Sequence, residues 1–451
     1  MTLRQLEVLV NDELVGILGE ENDLWQFAYA DQWIAAEQGF DLSPALARRQ
    51  RVIVDGASNR PVQWYFDNLL PEEALRTVIA KDAGLNAEDG FGLLAYFGAE
   101  SAGSLVLRDR ANPVPADAGV RPLSLEELNA RILNLPNASL TKDAPKRMSL
   151  AGAQHKMLVI LDGDALYEPL PATPSTHILK PNFQGGAYPA SVMNEYFTMR
   201  LAKAVGLDVP VVHRRYAPQP VYMVDRFDRI VPKGLAAGRL AQRADEVRRR
   251  HVIDTCQLLN KSRAFKYSAA RLDTLADALT HCRSKAAARL QLYRWIVFNV
   301  LVGNGDNHLK NISFLVGADG INLAPAYDML CTAVYDTKAF AGDGARWPHT
   351  ELAFSVGDAK TFGDIEREHL LMAGKVLGLA ERTIHRELDD LLAAVPREAD
   401  KLIEAIQNVQ DQSLQNCPDP DAARRFLAGE MRLLRAARGI IFAEMTARLA
   451  K

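Results

Sequence analysis

The sequence predicts an α+β protein, with a small mixed lobe followed by a large helical lobe. Residues 1–35 alternate apolar and polar side chains, which is typical of short strands. Residues 290–301 instead repeat apolar side chains at helical spacing, and amphipathic helical patterns run from about residue 364 to the end. Because strand patterns come first and helical patterns last, we expect the two kinds of element to lie in separate parts of the fold.

Turn and breaker residues divide these patterns further. A turn is expected at Asn11-Asp12, and residues 64–85 read as helical. Residues 108–124 contain three prolines and several charges, which indicates an exposed connection. Among the carboxy-terminal helices, breaks are expected near Pro396 and around Cys417-Pro418, because proline cannot donate the helical hydrogen bond.

Composition excludes several classes of protein. The 451 residues are 48% hydrophobic and 24% charged with a net charge of −3, so there is no overall electrostatic case for nucleic-acid binding. The four cysteines are scattered without a CxxC pair, which argues against a disulfide framework or a cysteine zinc site. The first residues do not resemble a signal peptide, and no apolar run approaches the ~18 residues of a membrane helix. We therefore expect a cytoplasmic protein without a membrane partner.

The stretch from Gly303 to Asn311 is the most informative. Four residues separate Asp306 from Asn311, which is the spacing of a protein kinase catalytic loop. In such a loop the aspartate accepts the proton of the attacking hydroxyl, and the asparagine holds a metal ion on the phosphates. The alternative is ordinary turn chemistry, since Asp and Asn beside glycine are common in turns.

A predicted hairpin follows this loop and adds a third group. Strand patterns at 312–316 and 321–327 flank a turn signal at 318–320, and the second strand ends at Asp328. The open end of such a hairpin would bring Asn311 and Asp328 side by side. Two oxygen ligands there suit Mg²⁺, with Asp328 in the part of the kinase DFG aspartate.

Two upstream segments carry candidates for nucleotide binding. Residues 176–180 read as a strand ending in Lys180, and Glu195 follows fifteen residues later in a predicted helix from about 191 to 206, like the strand lysine and helix glutamate of kinases. Residues 149–156 are rich in small side chains, which let backbone N–H groups approach phosphate oxygens. The alternatives are an exposed lysine, a glutamate on a solvated helix face, and a plain turn before a strand.

In their order along the chain, these segments resemble the HipA family over nearly the whole sequence. The resemblance rests on the following segments: Phe66–Glu72, Ser101–Leu105, Ser149–Lys156, Thr176–Lys180, Asn194–Tyr196, Leu201–Lys203, Arg226–Arg229, Asp306–Asn311 and Tyr327-Asp328. Residues 231–250, which include an Arg-rich run that reads as a solvated face, fit the family pattern poorly.

The resemblance implies a protein kinase-like two-lobed fold with an extra amino-terminal mixed subdomain and a large helical carboxy-terminal lobe. It divides the chain into 1–110 for that subdomain, 125–230 for the rest of the N-lobe and 231–451 for the C-lobe. It also implies ATP and Mg²⁺ as cofactors and a serine/threonine kinase toxin that inactivates itself by autophosphorylation. The implied partners are a HipB-like helix-turn-helix antitoxin, operator DNA reached only through that antitoxin, and a protein substrate such as an aminoacyl-tRNA synthetase.

Roles follow from the resemblance residue by residue. Asp306 would be the catalytic base, Asn311 and Asp328 the metal ligands, and Ser149 the autophosphorylation site. The implied nucleotide-binding residues are Ala151, Gly152, Ala153, Gln154, Lys156, Lys180, Asp225, Phe227, His308 and Lys310.

The sequence departs from the family pattern at three positions. His155 stands where glutamate is frequent, and Asn307 replaces a common glycine. Asp225 replaces a glutamate of the adenine hinge, which the resemblance places at Val224 to Phe227. His155 could change the charge of the phosphate loop, and Asn307 could alter substrate fit.

Two rival functions stay open at this point. One is a catalytically silent corepressor that binds an antitoxin and operator DNA; the other is a small-molecule or lipid kinase on a related fold. The presence of Lys180, Asp306, Asn311 and Asp328 argues against the corepressor, since a protein without phosphoryl transfer has no need of all four.

Overall fold

A computed structural model describes residues 3–111, 117–142, 144–148, 152, 154–232, 238–415 and 420–451. The chain forms two compact units that are interleaved along the sequence. The first unit contains residues 1–181, 215–266 and 313–324, and the second contains 182–214, 267–312 and 325–451. The predicted division into three consecutive segments stays a prediction.

The first unit begins with a five-stranded antiparallel sheet. Its strands, in spatial order, are Val52–Val54, Leu24–Tyr29, Glu13–Glu21, Arg4–Val10 and Leu105–Arg108. The turn predicted at Asn11-Asp12 is confirmed, since both residues have positive φ and join the first two strands. Trp25, Phe27 and Tyr29 are buried, as the alternating pattern predicts.

Helices accompany this sheet. The predicted helix at 64–85 is two helices, because the chain leaves helical geometry between Asp67 and Glu73. The α-helices of the first unit are Asp31–Ala35, Pro61–Asp67, Glu73–Ala83, Gly90–Phe97, Leu125–Leu133 and Thr255–Leu258, and its 3₁₀ turns are Arg48–Gln50, Ala241–Glu246 and Arg263–Phe265.

A second, six-stranded sheet follows in the same unit. Its strands, in spatial order, are Val212–Tyr216, Pro220–Asp225, His177–Pro181, Met157–Asp162, Ala165–Pro169 and Val120–Pro122. The chain returns from the second unit to the first within the strand Val212–Tyr216. Buried apolar residues, among them Val159, Leu179 and Met223, pack its core with the helix Leu125–Leu133. The strand predicted at residues 176–180 is therefore confirmed.

The predicted hairpin after the Asp306 loop is confirmed, but its second strand is shorter than expected. Ser313–Gly317 pairs with Gly320–Leu323, and His251–Asp254 completes a three-stranded sheet. The second strand ends at Leu323 instead of Tyr327, because Ala324 makes the last main-chain bond to Ser313. A two-stranded ribbon, Arg229–Ile230 with Arg248–Arg249, lies elsewhere in this unit.

The second unit is mainly helical. Its α-helices are Ser191–Ala204, Leu272–Thr280, Lys285–Leu301, Lys338–Ala341, Arg367–Val376, Glu381–Gln415, Pro420–Ala436 and Ala443–Leu449. A π-helical segment spans Ala437–Phe442, a two-stranded ribbon joins Glu351–Val356 to Ala359–Thr361, and 3₁₀ turns span Leu309–Asn311, Ala333–Asp336, Gly342–Gly344 and Phe362–Asp364. Within the described ranges, no helix combines the length and the apolar character that crossing a membrane requires.

The helix break predicted near Pro396 is wrong. One helix runs from Glu381 to Gln415 with this proline inside it. Leu388, Leu391 and Val395 before the proline and Ala399 after it are all buried. Burial on both sides of Pro396 stabilises the helix enough to offset one missing hydrogen bond. The second predicted break, at Cys417-Pro418, lies outside the described residues.

Candidate active-site residues

The predicted catalytic loop starts where the helix Lys285–Leu301 ends. Gly303 has φ of 65°, the left-handed conformation that ends many helices and that glycine adopts without strain. A Cβ at this position would lie 2.6 Å from Ile441 Cγ2 and 3.0 Å from Ala333 Cβ. Backbone conformation and close packing therefore both require glycine here.

Hydrogen bonds inside the second unit fix the main chain of this loop. The side chain of Asn304 donates to Asn299 Oδ1 at 2.7 Å, and its Oδ1 accepts from the N–H of Asp306 at 3.0 Å. The N–H of Gly305 donates to Thr332 Oγ1 at 2.6 Å. The backbone that carries Asp306 is thus held by partners on both sides of it in sequence.

Asp306 and Asn311 lie in one tightly closed loop, as their spacing predicts. Asn311 Nδ2 donates to the main-chain oxygen of Asp306 at 2.7 Å, and the N–H of Asn311 donates to His308 O at 3.0 Å. Asn311 is 8% exposed, whereas Asp306 is half-buried. Since the amide nitrogen of Asn311 faces Asp306, the amide oxygen is the atom with which Asn311 can bind a cation.

Sequence reasoning missed one residue at this loop, Tyr267. Its hydroxyl donates to Asp306 Oδ1, and its ring packs edge-on against the ring of His308 with centroids 4.9 Å apart. Tyr267 lies 39 positions before Asp306, outside any recognisable pattern, so only tertiary structure reveals the contact.

Asp328 follows the hairpin on a segment that is tied to the same loop. The hydroxyl of its neighbour Tyr327 donates to Lys310 O at 2.8 Å, and the next residue, Met329, is fully buried. Asp328 itself is half-buried and has φ of 57°, which is uncommon outside glycine. The carboxylate of Asp328 and the amide oxygen of Asn311 are hard oxygen ligands, so this donor set fits Mg²⁺.

The helix Ser191–Ala204 is bonded to the chain just after Asp328. Asn194 Nδ2 donates to Cys331 O at 2.9 Å, and Asn194 Oδ1 accepts from the N–H of Cys331 at 2.8 Å. Glu195, the next residue, is 4% exposed, so the reading of a solvated helix face is wrong for it. Its pairing with Lys180 stays a prediction.

In the first unit, the candidate lysine and hinge residues share two paired strands. Lys180 is opposite Tyr222, with its ammonium 5.8 Å from the centre of that ring, and is 7% exposed. Lys180 is therefore not an ordinary exposed charge. At the other end of the pair, Asp225 Oδ1 lies 3.1 Å from His177 Nε2, and the half-buried Phe227 follows in a turn.

The predicted phosphate loop is described only in part, because residues 149–151 and 153 lie outside the described residues. Gly152 has φ of 112°, and a Cβ on it would lie 2.6 Å from Lys156 Nζ. Gln154 Nε2 donates to Pro181 O at 3.1 Å, next to Lys180. Burial lowers the pKa of His155, more than the charge of Asp82 raises it, and so favours the neutral form of the ring.

A buried ionic cluster lies beside the hinge. The carboxylate of Glu100 is within 3.2 Å of the cations of Lys146, Arg226, Arg229 and Arg249. Burial alone would raise the pKa of Glu100, but these four cations hold it well below the usual range. Burial also lowers the pKa of Lys146 to about 8, against the attraction of Glu100. Because Arg226 directly follows Asp225, the cluster anchors the end of the hinge strand.

Comparison with known proteins covers most of the chain. The model of the HipA N-terminal domain matches residues 6–108, and the model of the HipA-like C-terminal domain matches residues 148–407. Y4mE of Sinorhizobium fredii, which is named as a kinase, is 32% identical over 420 residues, or 90% of this chain and 93% of that protein. The serine/threonine-protein kinase toxin HipA of Shewanella oneidensis is 29% identical over 352 residues, or 73% of this chain and 76% of that protein.

The fold has a counterpart of nearly equal length among solved structures. It is similar to a chain in the complex of Shewanella oneidensis HipA, HipB and operator DNA, with a TM-score of 0.70 and 25% sequence identity. The match covers 98% of this chain and 99% of the other.

Proposed function

We propose that this chain acts as the toxin of a toxin–antitoxin pair. The premise is that the chain belongs to the HipA family and is an ATP-dependent serine/threonine protein kinase. In this role it transfers the γ-phosphoryl group of ATP to a protein hydroxyl and so arrests growth. The observation that carries the proposed chemistry is the closed loop in which Asn311 bonds the main chain of Asp306.

The loop suggests a division of labour between its residues. Asp306, half-buried and therefore accessible, accepts the proton of the acceptor hydroxyl as that oxygen attacks phosphorus. Asn311 and Asp328 hold Mg²⁺, which when bound offsets charge on the phosphate oxygens. His308 and Lys310 are buried in the same loop and shape its nucleotide side.

Residues of the six-stranded sheet and of the predicted phosphate loop supply the remaining nucleotide contacts in this proposal. Lys180 neutralises phosphate oxygens, and the stretch from Val224 to Phe227 forms the adenine hinge. Gly152, Gln154 and Lys156, with Ala151 and Ala153, cover the phosphates. The support is the positive φ of Gly152 and the Lys156 ammonium close beside it.

The partner we propose is a HipB-like helix-turn-helix antitoxin that carries the kinase to operator DNA. The support is the fold shared with a chain of a complex whose name includes HipA, HipB and operator DNA. The substrate we propose is a protein, with an aminoacyl-tRNA synthetase as the first to assay.

Intact-mass spectrometry of the full chain with Mg-ATP tests the kinase chemistry. Starting from unphosphorylated protein, we expect wild type to gain the mass of one phosphate, mapping to Ser149, because the family resemblance places this serine in the phosphate loop as the autophosphorylation site. Asp306→Asn keeps the size of the side chain but removes the base, and we expect no gain.

Asp319→Asn, at the exposed turn of the hairpin, is the matched control and should behave as wild type. Wild-type activity in Asp306→Asn would contradict the assignment of the base. Operator binding without any ATP turnover would favour the corepressor.

A further inference from the structure

We propose that Tyr267 is a positioning residue for phosphoryl transfer, holding the carboxylate of Asp306 in place through its hydroxyl. This inference rests on the proposed role of Asp306 as the base. Tyr267 is not a member of any segment that carries the family resemblance.

The main chain around Asp306 is already fixed, so the freedom that remains lies in its side chain. Asn304 holds the N–H of Asp306, and Asn311 holds its carbonyl oxygen. The hydroxyl of Tyr267 bonds Oδ1 of the carboxylate and so restrains its rotation. A base must be within hydrogen-bond reach of the proton that it removes, so this restraint bears directly on the reaction.

The bond leaves the carboxylate able to work. An ionised carboxylate accepts at two oxygens, and Tyr267 engages Oδ1. A hydroxyl donor is also suited to this position, because a lysine or arginine would add a full charge beside the base.

Tyr267 is itself held at its ring and at its amino-terminal side. Its side chain is exposed (44%), but its ring packs edge-on against the buried ring of His308. The preceding residue, Lys266, has its ammonium 2.7 Å from Glu72 Oε2 and 2.9 Å from Glu73 Oε1. These two carboxylates fix the position of Lys266, the residue that directly precedes Tyr267 in the chain.

The ion pairs of Lys266 also give a role to the segment Phe66–Glu72, which takes no part in the proposed chemistry. Glu72 ends the segment Phe66–Glu72, and it is 3% exposed. Its N–H donates to Gly152 O in the phosphate loop at 3.3 Å. Glu73 adopts φ of 51°, a costly conformation for a non-glycine residue, with its carboxylate on Lys266. We therefore assign the Glu72–Lys266 pair as the support of Tyr267.

The test is the rate of autophosphorylation at increasing Mg-ATP in the full chain. Tyr267→Phe removes one hydroxyl and keeps the ring packing. We expect the maximal rate to fall about tenfold, the effect of one hydrogen bond to a charged group, with the half-saturating ATP concentration unchanged. A merely structural role would alter ATP binding or the melting temperature as well.

Three controls accompany this variant. Tyr188→Phe, at a tyrosine of similar exposure (41%) in the same unit, should leave the rate unchanged. Lys266→Met should lower the maximal rate in the same direction as Tyr267→Phe, whereas Lys266→Arg, which keeps the ion pair, should retain it. If wild type does not phosphorylate itself, the same variants are compared by Mg-ATP hydrolysis.

The outcomes separate this inference from the function on which it rests. An inactive Asp306→Asn together with a fully active Tyr267→Phe overturns the inference and leaves the proposed function standing. An active Asp306→Asn overturns both. An equal fall for Tyr267→Phe and Tyr188→Phe also overturns the inference, because the loss would not be specific to the base.

Discussion

At the scale of single residues, the catalytic loop shows how one amide can serve two purposes. Asn311 Nδ2 closes the loop on the main chain of Asp306, which leaves the amide oxygen for a cation. The predicted Asp-x-x-x-x-Asn spacing thus joins the position of the proposed base to the position of the proposed metal ligand. Tyr267 adds a third contact, on the carboxylate itself.

Replacing Asn311 with alanine should remove both functions at once. We expect phosphoryl transfer to fall by more than about a hundredfold, since a catalytic metal contributes several kcal/mol to such reactions. The measurement is the rate of autophosphorylation as Mg²⁺ is raised, and excess Mg²⁺ should recover part of the loss. Asn322→Ala, on the hairpin that follows in sequence, is the control. A Mg²⁺ dependence identical to that of wild type would contradict the role of Asn311 as a ligand.

At the scale of elements, the end of one helix decides where the catalytic loop begins. The helix Lys285–Leu301 stops at a left-handed glycine, Gly303, and Thr332 then bonds the loop at Gly305. The helix Ser191–Ala204 fixes the chain after Asp328 through Asn194. Rigid helices thus hold both ends of the segment that carries the candidate catalytic residues.

Gly303→Ala should disturb this junction more than the same change at another helix end. Gly84 has nearly the same backbone conformation (φ 68°), but no atom lies within 4 Å of the point that a Cβ would occupy. Gly84→Ala therefore costs only the ~1 kcal/mol of placing alanine in this backbone conformation. Gly303→Ala adds the clash with Ile441, and we expect a larger loss of unfolding free energy and of kinase activity. Chemical denaturation and autophosphorylation of both variants check this, and equal losses would contradict it.

At the scale of the whole molecule, the buried cluster around Glu100 connects distant parts of the sequence within the first unit. Arg226 and Arg229 follow the hinge, Lys146 precedes the phosphate loop, and Asp228 accepts from the N–H of Gly103 at 2.7 Å. Two of the segments behind the family resemblance, Ser101–Leu105 and Arg226–Arg229, therefore meet in one electrostatic cluster. Since Arg226 directly follows Asp225, the cluster fixes the chain at the end of the proposed adenine hinge.

Glu100→Gln should be strongly destabilising, because it leaves buried cations without their main counter-charge. Removing one partner of a buried ion pair costs ~3–5 kcal/mol. Lys146→Met removes one of four cations around Glu100, and we expect a smaller loss. Melting temperatures at neutral pH compare the two variants, and a smaller loss for Glu100→Gln than for Lys146→Met would contradict this account.

The same cluster predicts the dependence of stability on pH. The pKa of Glu100 is lowered in the fold, so its stabilisation is present above the unfolded value of ~4.3 and is lost as pH falls below it. The pKa of Lys146 is lowered to about 8, so its buried ammonium destabilises the fold to the full extent below pH 8. This destabilisation is relieved as pH rises towards the unfolded pKa of ~10.4. In melting curves, the stability of Glu100→Gln should fall less steeply in acid than that of wild type. The stability of Lys146→Met should show no gain from this site at alkaline pH. Curves parallel to wild type would contradict both assignments.

Local pattern was sufficient for much of the fold and for the candidate loop. Alternation predicts the strand Leu24–Tyr29, glycine predicts the end of the helix before the loop, and the spacing of Asp306 and Asn311 predicts their closure, because each depends on residues close in sequence. The helix through Pro396, the contact of Tyr267 with Asp306 and the gathering of four cations on Glu100 were decided by tertiary structure alone. In each of these cases the partners lie far apart in the chain, where no local pattern reaches. For the helix through Pro396 and the cluster around Glu100, burial sets the energies.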